Sequence, residues 1–365
     1  LAATRIGEDG YIKKGYENLL LQSNTFSDAD WAKASGTIIT GGEIGYDGSN
    51  DAWLLNSTIS TGLLTQIVTS GLSTFSVYAK ESTNGWVSLR AENPLARVWF
   101  DLRASTTGSR IGYNVGGVHS DIEDVGNGWF KCSMTITGVT SSVKIYSCQD
   151  NFAFGTGSIY IQDAQLNQGL VAYPYLETTT APAQGGLLEN SPRLDWSNGV
   201  PAVQLEEQRT NLIDSSEWIG SWILNNISVS IDDTISPEGY ANVSKLTAPS
   251  TGFTRAYQEL TFIAGTTYTF SAWIKNINAT TINFVWFDGV NQIFIDLVDN
   301  VNTESFTRVS ISFTPTNTSS LSQVQIARNL PTGESFYIYG AQNELGSTPS
   351  SYIPTYGTSQ TRSNE

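Results

Sequence analysis

Histidine is all but missing from this 365-residue chain, with His119 the sole example, and cysteine is held to Cys132 and Cys148. A zinc centre built from His and Cys clusters therefore has no material. A Ser-His-Asp or Cys-His nucleophile would have to recruit His119, which sits in the loop-like stretch VHSDIED (118–124). No G-x-S-x-G elbow is present, and no Gly-rich phosphate loop is followed by a lysine. Two cysteines are too few for a disulfide framework. A hairpin centred near residue 140 would set them opposite each other; equally, they could sit on facing sheets. Two buried thiols are the favoured expectation, since a free cysteine packs as a small hydrophobe.

Charge is scarce too. Only 15% of residues are charged, and 34 acidic residues against 19 basic ones leave a net charge of −15. That surface repels phosphate backbones, so nucleic acid is not an expected partner, and the acidic coat reads first as a solubility device. No run of 18 apolar residues occurs, so no membrane insertion is expected. No secretory signal is read at the start, and the opening Leu1 with Met134 as the sole methionine points to a processed or trimmed N-terminus. Helix-favouring stretches of Ala, Glu, Lys and Leu are absent.

What the chain has in quantity is glycine (33), tyrosine (16) and tryptophan (10), amid many Ser, Thr and Asn. The expectation is short strands and many turns. Strict alternation supports it. In TFSVYAK (74–80), Phe75, Val77 and Ala79 alternate with polar residues and Tyr78. Residues 86–90 and 98–102 alternate likewise, and in residues 129–136 Phe130, Cys132, Met134 and Ile136 share one face.

The chain then repeats itself. TFSAWIK (269–275) matches TFSVYAK position for position, Phe270 lying 195 residues after Phe75, and the same shift carries Asp101 onto Asp296. Later the shift becomes 177, placing Arg308 on Lys131, Tyr337 on Tyr160 and Tyr352 on Tyr175. The first copy thus carries 18 extra residues, expected as a loop within 103–125. GNGWFKC (126–132) and ESFTRV (304–309) open the same strand in the two copies. Two copies of about 160 residues make a domain duplication, not a solenoid. Many alternating strands without helices give an all-β fold of two tandem jelly-roll β-sandwich domains. The expected organisation is an extended arm (1–17), a first jelly roll (18–176), a connector (177–208) that packs on a domain, a second jelly roll (209–355) and a C-terminal tail (356–365).

Several of these stretches resemble a jelly-roll module of bacteriophage virion proteins. In the first copy they are Asn18-Leu19-Leu20, FSVYAK, FDL (100–102), GNGWFKC and IYIQDAQL (159–166). In the second they are NLIDSS (211–216), FSAWIK, YIYGAQNELG (337–346) and SYIPT (351–355). The connector PRLDWSNGVPAVQLEEQRTNL (192–212) and ATRIGEDGYI (3–12) belong to the same likeness, which spans nearly the whole chain. It implies a non-enzymatic fibre or decoration on the virion, with other virion proteins as partners. It also implies a symmetric homo-oligomer, for instance a trimer, and adhesion to a bacterial surface glycan. The module is similar in outline to carbohydrate-binding modules of polysaccharide-degrading enzymes, which is the alternative setting. Those modules often hold a structural calcium. Asp163 would be a ligand for it, although Gly340 replaces it in the second copy; Asp121, Glu123 and Asp124 form another acidic group. No other cofactor is expected.

Asp101 and Asp296 lack the second carboxylate that a glycosidase needs. Their expected role is pairing with Lys80 or Lys131, and with Lys275 or Arg308. The candidate glycan contacts lie on the non-core faces: Tyr78, Trp99 and Trp129 with Lys80, Arg90, Asp101 and Lys131 in the first copy, and Trp273, Phe294 and Phe306 with Lys275, Asp296 and Arg308 in the second. Flat rings beside hydrogen-bonding groups suit a sugar. The competing expectation is that a loop, the connector or a neighbouring subunit covers these rings.

Overall fold

The computed structural model describes residues 2–93, 95–112, 119–188 and 192–364. Two compact units divide it. The first module is Tyr16–Gly185, and the second joins Leu1–Gly15 to Gly186–Glu365. The expected arm therefore belongs largely to the second module. The expected C-terminal tail is ordered there too, because Gln360–Arg362 pairs antiparallel with Arg209–Asn211 and Arg362 is fully buried.

Each module is a jelly-roll sandwich of two antiparallel sheets. In the first, one sheet runs Ser120–Gly126, Trp129–Ile136, Ser73–Glu81, Gly157–Gln168, Ala52–Ser57, Thr37–Glu43. Its partner runs Thr106–Gly112, Ala96–Asp101, Trp86–Glu92, Thr140–Asp150, Leu64–Ser70, Ala32–Lys33, with Ala153–Phe154 folded back on Thr140–Asp150. The second module repeats the order. Thr307–Phe313, Tyr268–Asn276, Ser335–Leu345, Ala241–Thr247 and Ser228–Ile235 form one sheet. Gln292–Asp296, Asn283–Phe287, Ser319–Arg328, Arg255–Phe262 and Ile223–Asn225 form the other.

Alternation explains the cores. Phe75, Val77 and Ala79 bury against Val87, Leu89, Val98 and Phe100 of the facing sheet. Phe270, Ala272 and Ile274 do the same against Phe284, Val324 and Ile326, with the Phe270 and Phe284 rings stacked at 4.0 Å. At about 25 cal/mol per Å² of apolar surface removed from water, such layers dominate the stability of each module.

The extra residues of the first module are not one loop. Their ends form an added edge strand on each sheet, Thr106–Gly112 beside Ala96–Asp101 and Ser120–Gly126 beside Trp129–Ile136. Residues 113–118 between them lie outside the described residues. Asp121, Glu123 and Asp124 are accordingly strand residues, and the Asp124 carboxylate accepts the Gly126 N–H. His119 precedes that strand, its carbonyl accepting from the Thr135 N–H.

The duplication reaches into buried polar bonds. Asn18 donates to the carbonyls of Ala164 and Leu176 and accepts from the N–H groups of Leu20 and Leu166. Asn211 donates to Ala341 and Ile353 and accepts from Ile213 and Asn343. Ser23 meets Tyr175 at 2.6 Å, and Ser216 meets Tyr352 at 2.6 Å. Asp163 (φ 53°) and Gly340 (φ 64°) occupy the same bulge, where the strand register shifts in both modules.

Both cysteines are free and buried. Cys132 lies in the core and Cys148 beneath Trp86, Trp99 and Tyr146 on the outer side of the facing sheet, so a full layer separates their environments.

Candidate functional site

The structure distributes the sequence-derived contacts over four outer faces, two per module, and not one per module as expected. Tyr78, Lys80, Trp129 and Lys131 share the sheet of Ser73–Glu81 and Trp129–Ile136. Arg90, Trp99 and Asp101 are on the opposite sheet. In the second module Trp273, Lys275 and Arg308 share one sheet, and Phe294 and Asp296 the other.

The first of these faces is covered. Tyr46 stacks on Tyr78 with centroids 3.9 Å apart, and Trp129 is 1% exposed. Lys131 Nζ donates to the carbonyls of Ala172 and Tyr173, and burial pulls its pKa below the ordinary lysine value. The Tyr46 hydroxyl donates to Asp163, whose carboxyl is pushed up to about 7 by burial, with Asp51 and Asp47 adding to the rise.

Its counterpart in the second module is covered by Thr4–Ile6 and residue Ile12, which pack with Trp273, Tyr339 and Tyr352, and is flanked by Asp195, Ser197, Gln204 and Glu206. The Arg308 guanidinium lies 4.5 Å from the Trp273 ring centre and donates to Ser271, while Tyr339 and Tyr352 abut the same ring edge-on. Burial lowers the Arg308 pKa to about 10. A cleft of about 270 Å³ remains beside Trp273 and Arg308, and one of about 420 Å³ beside Trp273, Lys275 and Phe306. The carboxylates lining the first are already engaged. Glu206 holds Ser351, Arg193 and Arg362, and Asp195 accepts from Ile6 N and Ser197. On these faces Tyr78, Trp129 and Trp273 pack against other side chains, and Lys131 and Arg308 are held by protein acceptors, while Lys80 and Lys275 stay half-buried.

The sheets on the other side differ. In the first module the Arg97 guanidinium sits among Trp99, Tyr146 and Phe154, at 4.6, 4.1 and 4.0 Å from their ring centres. Its Nε donates to Ser88, and burial lowers its pKa to about 10. Phe152 and Phe154 roof Trp99, which is 1% exposed. Arg90 and Lys144 both pair with Glu92, at 2.6 and 2.8 Å.

On the equivalent face of the second module Val285 and Gln325 are buried at the centre, and the rings and guanidiniums around them keep their exposure. Pairing sets Tyr257 beside Gln325, Gln325 beside Val285 and Val285 beside Phe294, one row across four strands. The next row holds Glu259, Gln323, Phe287 and Gln292. Phe294 is 47% exposed and Tyr257 half-buried. Arg255 lies 4.1 Å from the Tyr257 ring centre, and Arg328 lies 3.7 Å from that of Phe253. Of this set the sequence reading found only Phe294. The alternation in RAYQEL (255–260) and SQVQIA (322–327) carries the signal for the rest: apolar residues turn inward and Arg255, Tyr257, Gln323 and Gln325 turn out.

Asp101 and Asp296 do not pair with the lysines and arginines expected for them. Asp101 accepts from the N–H groups of Arg103 and Ala104, with the Arg103 side chain 3.7 Å away. Asp296 accepts from Ile282 N, Val298 N and the Thr281 hydroxyl, bonds that outweigh partial burial and hold its pKa below the usual value. Both are turn caps. Among the described residues, no group of three or more His, Cys, Asp or Glu side chains is arranged to hold a metal ion, and Asp163 is engaged by Tyr46.

No known protein family matches the chain, and no curated protein does. Solved structures similar to it include the CBM22-1–CBM22-2 tandem domain of Xyn10C from Paenibacillus barcinonensis, 13% identical over 91% of this chain and 97% of that one, TM-score 0.29. The CBM22-1 xylan-binding domain of the same protein covers 40% of this chain and 100% of its own, at 9% identity and TM-score 0.29. An exo-beta-1,3-galactanase from Phanerochaete chrysosporium is 8% identical over 85% of this chain and 69% of its own, TM-score 0.26.

Proposed function

We propose that this chain is a non-enzymatic glycan-binding protein whose second module presents the binding face. The observation that carries the reading is the row Tyr257, Gln325, Val285, Phe294, with exposed ring surface at its two ends and amides and guanidiniums around it. A sugar offers a C–H face to a flat ring and hydroxyls to polar neighbours, and this face supplies both. The non-enzymatic part is supported by where Asp101 and Asp296 are spent, each on turn N–H groups. The setting we propose is a bacteriophage virion, as part of a fibre or decoration assembled as a homo-oligomer. Its support is the likeness of the connector and of the GAQ…SYIPT ending to virion modules.

The test is glycan-array binding by the full chain and by Tyr257→Ala and Phe294→Ala. Each substitution should weaken binding about tenfold or more, the range of a buried aromatic anchor. Binding that survives both substitutions unchanged would remove this face from consideration.

A further inference from the structure

The face of Tyr257 and Phe294 has an electrostatic peculiarity. Acidic residues outnumber basic ones 34 to 19, so a surface cation has carboxylates to choose from. Arg90 and Lys144 share Glu92 on the equivalent face of the first module, and Arg193 and Arg362 share Glu206. Arg255 and Arg328, by contrast, have no carboxylate partner among the described residues. Arg255 spends Nε on Asn225 (2.7 Å) and Nη1 on Gln323 (3.1 Å). Arg328 makes no side-chain hydrogen bond among them, and its Nε is buried and unsatisfied. Both guanidiniums reach the Phe253 ring, at 5.4 and 3.7 Å from its centre, so two like charges face one aromatic. Burial and the nearby Arg255 lower the Arg328 pKa accordingly. The cation–π contacts with Phe253 and Tyr257 offset part of the cost, but like charges repel and the buried Arg328 Nε is left without an acceptor.

An acceptor lies in the same patch. Gln325 is 1% exposed, and its Nε2 is committed to Gln323 at 2.9 Å, while its Oε1 is buried without a partner. Unspent guanidinium donors call for a planar anion, which they bind in fork geometry. An unspent amide acceptor calls for a hydroxyl, and the rings of Tyr257 and Phe294 call for C–H surface. One ligand class offers all three.

Resting on the glycan-binding reading above, we propose that this face recognises a sugar bearing a carboxylate, a residue of the uronic acid type, with Arg255 and Arg328 addressing the carboxylate and Gln325 a ring hydroxyl. A neutral glycan would leave both guanidiniums without a counter-charge. A nucleic acid would meet the same donors but must approach a protein of net charge −15.

The experiment compares retention of the full chain by polygalacturonate, alginate and hyaluronate with retention by their methyl esters, which keep the backbone and remove the charge. The same comparison is made with an array of neutral glycans and with oligothymidylate. The expected result is at least tenfold tighter binding to the free acids, weakening with added salt. Arg255→Gln and Arg328→Gln should bring acid binding down to the level of the ester with the melting temperature unchanged. Arg328→Lys, which keeps the charge and loses the fork, should fall between. Equal binding of acid and ester, or binding confined to neutral glycans, would overturn this inference and leave the glycan reading standing. Retention of no glycan at all would overturn both, and retention by oligothymidylate alone would replace both.

Discussion

The Lys14 ammonium lies 2.5 Å from Oε1 of Glu217, and neither side chain reaches solvent. Glu238 closes on the same ammonium at 3.0 Å, and the Tyr339 hydroxyl donates to Glu238 at 2.8 Å. This network seals residues 12–15 to the rest of the second module, so residues 1–15 are part of that module's structure. Burial alone would depress Lys14; Glu217 and Glu238 reverse this and hold it above the ordinary lysine range.

Removing that cation should be expensive. Lys14→Met leaves two carboxylates buried without it, at a cost of about 3–5 kcal/mol, and Lys14→Met with Glu217→Gln should recover part of the loss. Because the folded pKa of Lys14 is raised, its contribution is complete below the unfolded value of 10.5 and disappears as pH climbs through the folded one. Urea unfolding between pH 9 and 12 should show the native second module losing stability at the alkaline end, and the Lys14→Met variant should lack that component.

Asp163 gives the first module a pH dependence of its own. Its folded pKa of about 7 stands above the model-peptide value of 3.8 because burial disfavours the carboxylate. A raised pKa contributes stability that is full below about pH 3.8 and is lost as pH rises through about 7. Asp163→Asn keeps an acceptor for the Tyr46 hydroxyl and tolerates the positive φ. It should stabilise the first module at pH 8 by ~2–4 kcal/mol, and less at pH 4. Calorimetry at both values checks this; equal stabilisation at the two would mean that the carboxyl is not the source.

The duplicated asparagines give paired predictions. Asn18→Ala leaves the Leu20 and Leu166 N–H groups and the Ala164 and Leu176 carbonyls without this partner in a buried place. At about 1–3 kcal/mol for each buried group left unpaired, the first module should lose about 3 kcal/mol or more. Asn211→Ala should do the same to the second module alone. Each variant should move one unfolding transition and leave the other, which hydrogen exchange resolves by module.

Alternation reveals which side chains of a strand share a face, and repetition reveals which strands are equivalent. That is why the two cores built on Phe75 and Phe270 were readable. Neither signal says to which of two stacked sheets a strand belongs. Trp99 and Trp129 alternate with core residues equally well, yet they end on opposite outer surfaces of one sandwich. Nor does periodicity tell a bare face from a covered one. Trp273 and Phe294 look alike in the sequence, and only the fold shows that Tyr339, Tyr352 and the Arg308 guanidinium pack on one while the other stays 47% exposed. The strands Arg255–Phe262 and Ser319–Arg328 carry little sequence signal, because apart from Tyr257 their outward residues are mostly amides, acids and guanidiniums. Those are ordinary on a solvated sheet and become notable only when neighbours leave them unpaired.

The first module supplies the remaining prediction. The face equivalent to that of Tyr257 and Phe294 is closed by its own residues, with Phe152 and Phe154 folded over Trp99 and the Arg97 guanidinium held among the rings. Phe154→Ala removes one wall of that cage, costing about 0.5–2 kcal/mol of cation–π attraction, and Phe152→Ala with it lifts the roof from an otherwise buried indole. Trp99 should then become accessible to acrylamide, with emission shifted to the red, and Trp99→Phe in the same background should abolish the added quenching. Unchanged quenching in the double variant would mean that another segment covers this face. The bulky pair would then be an ordinary hydrophobic contact, not the element that separates this face from its counterpart in the second module.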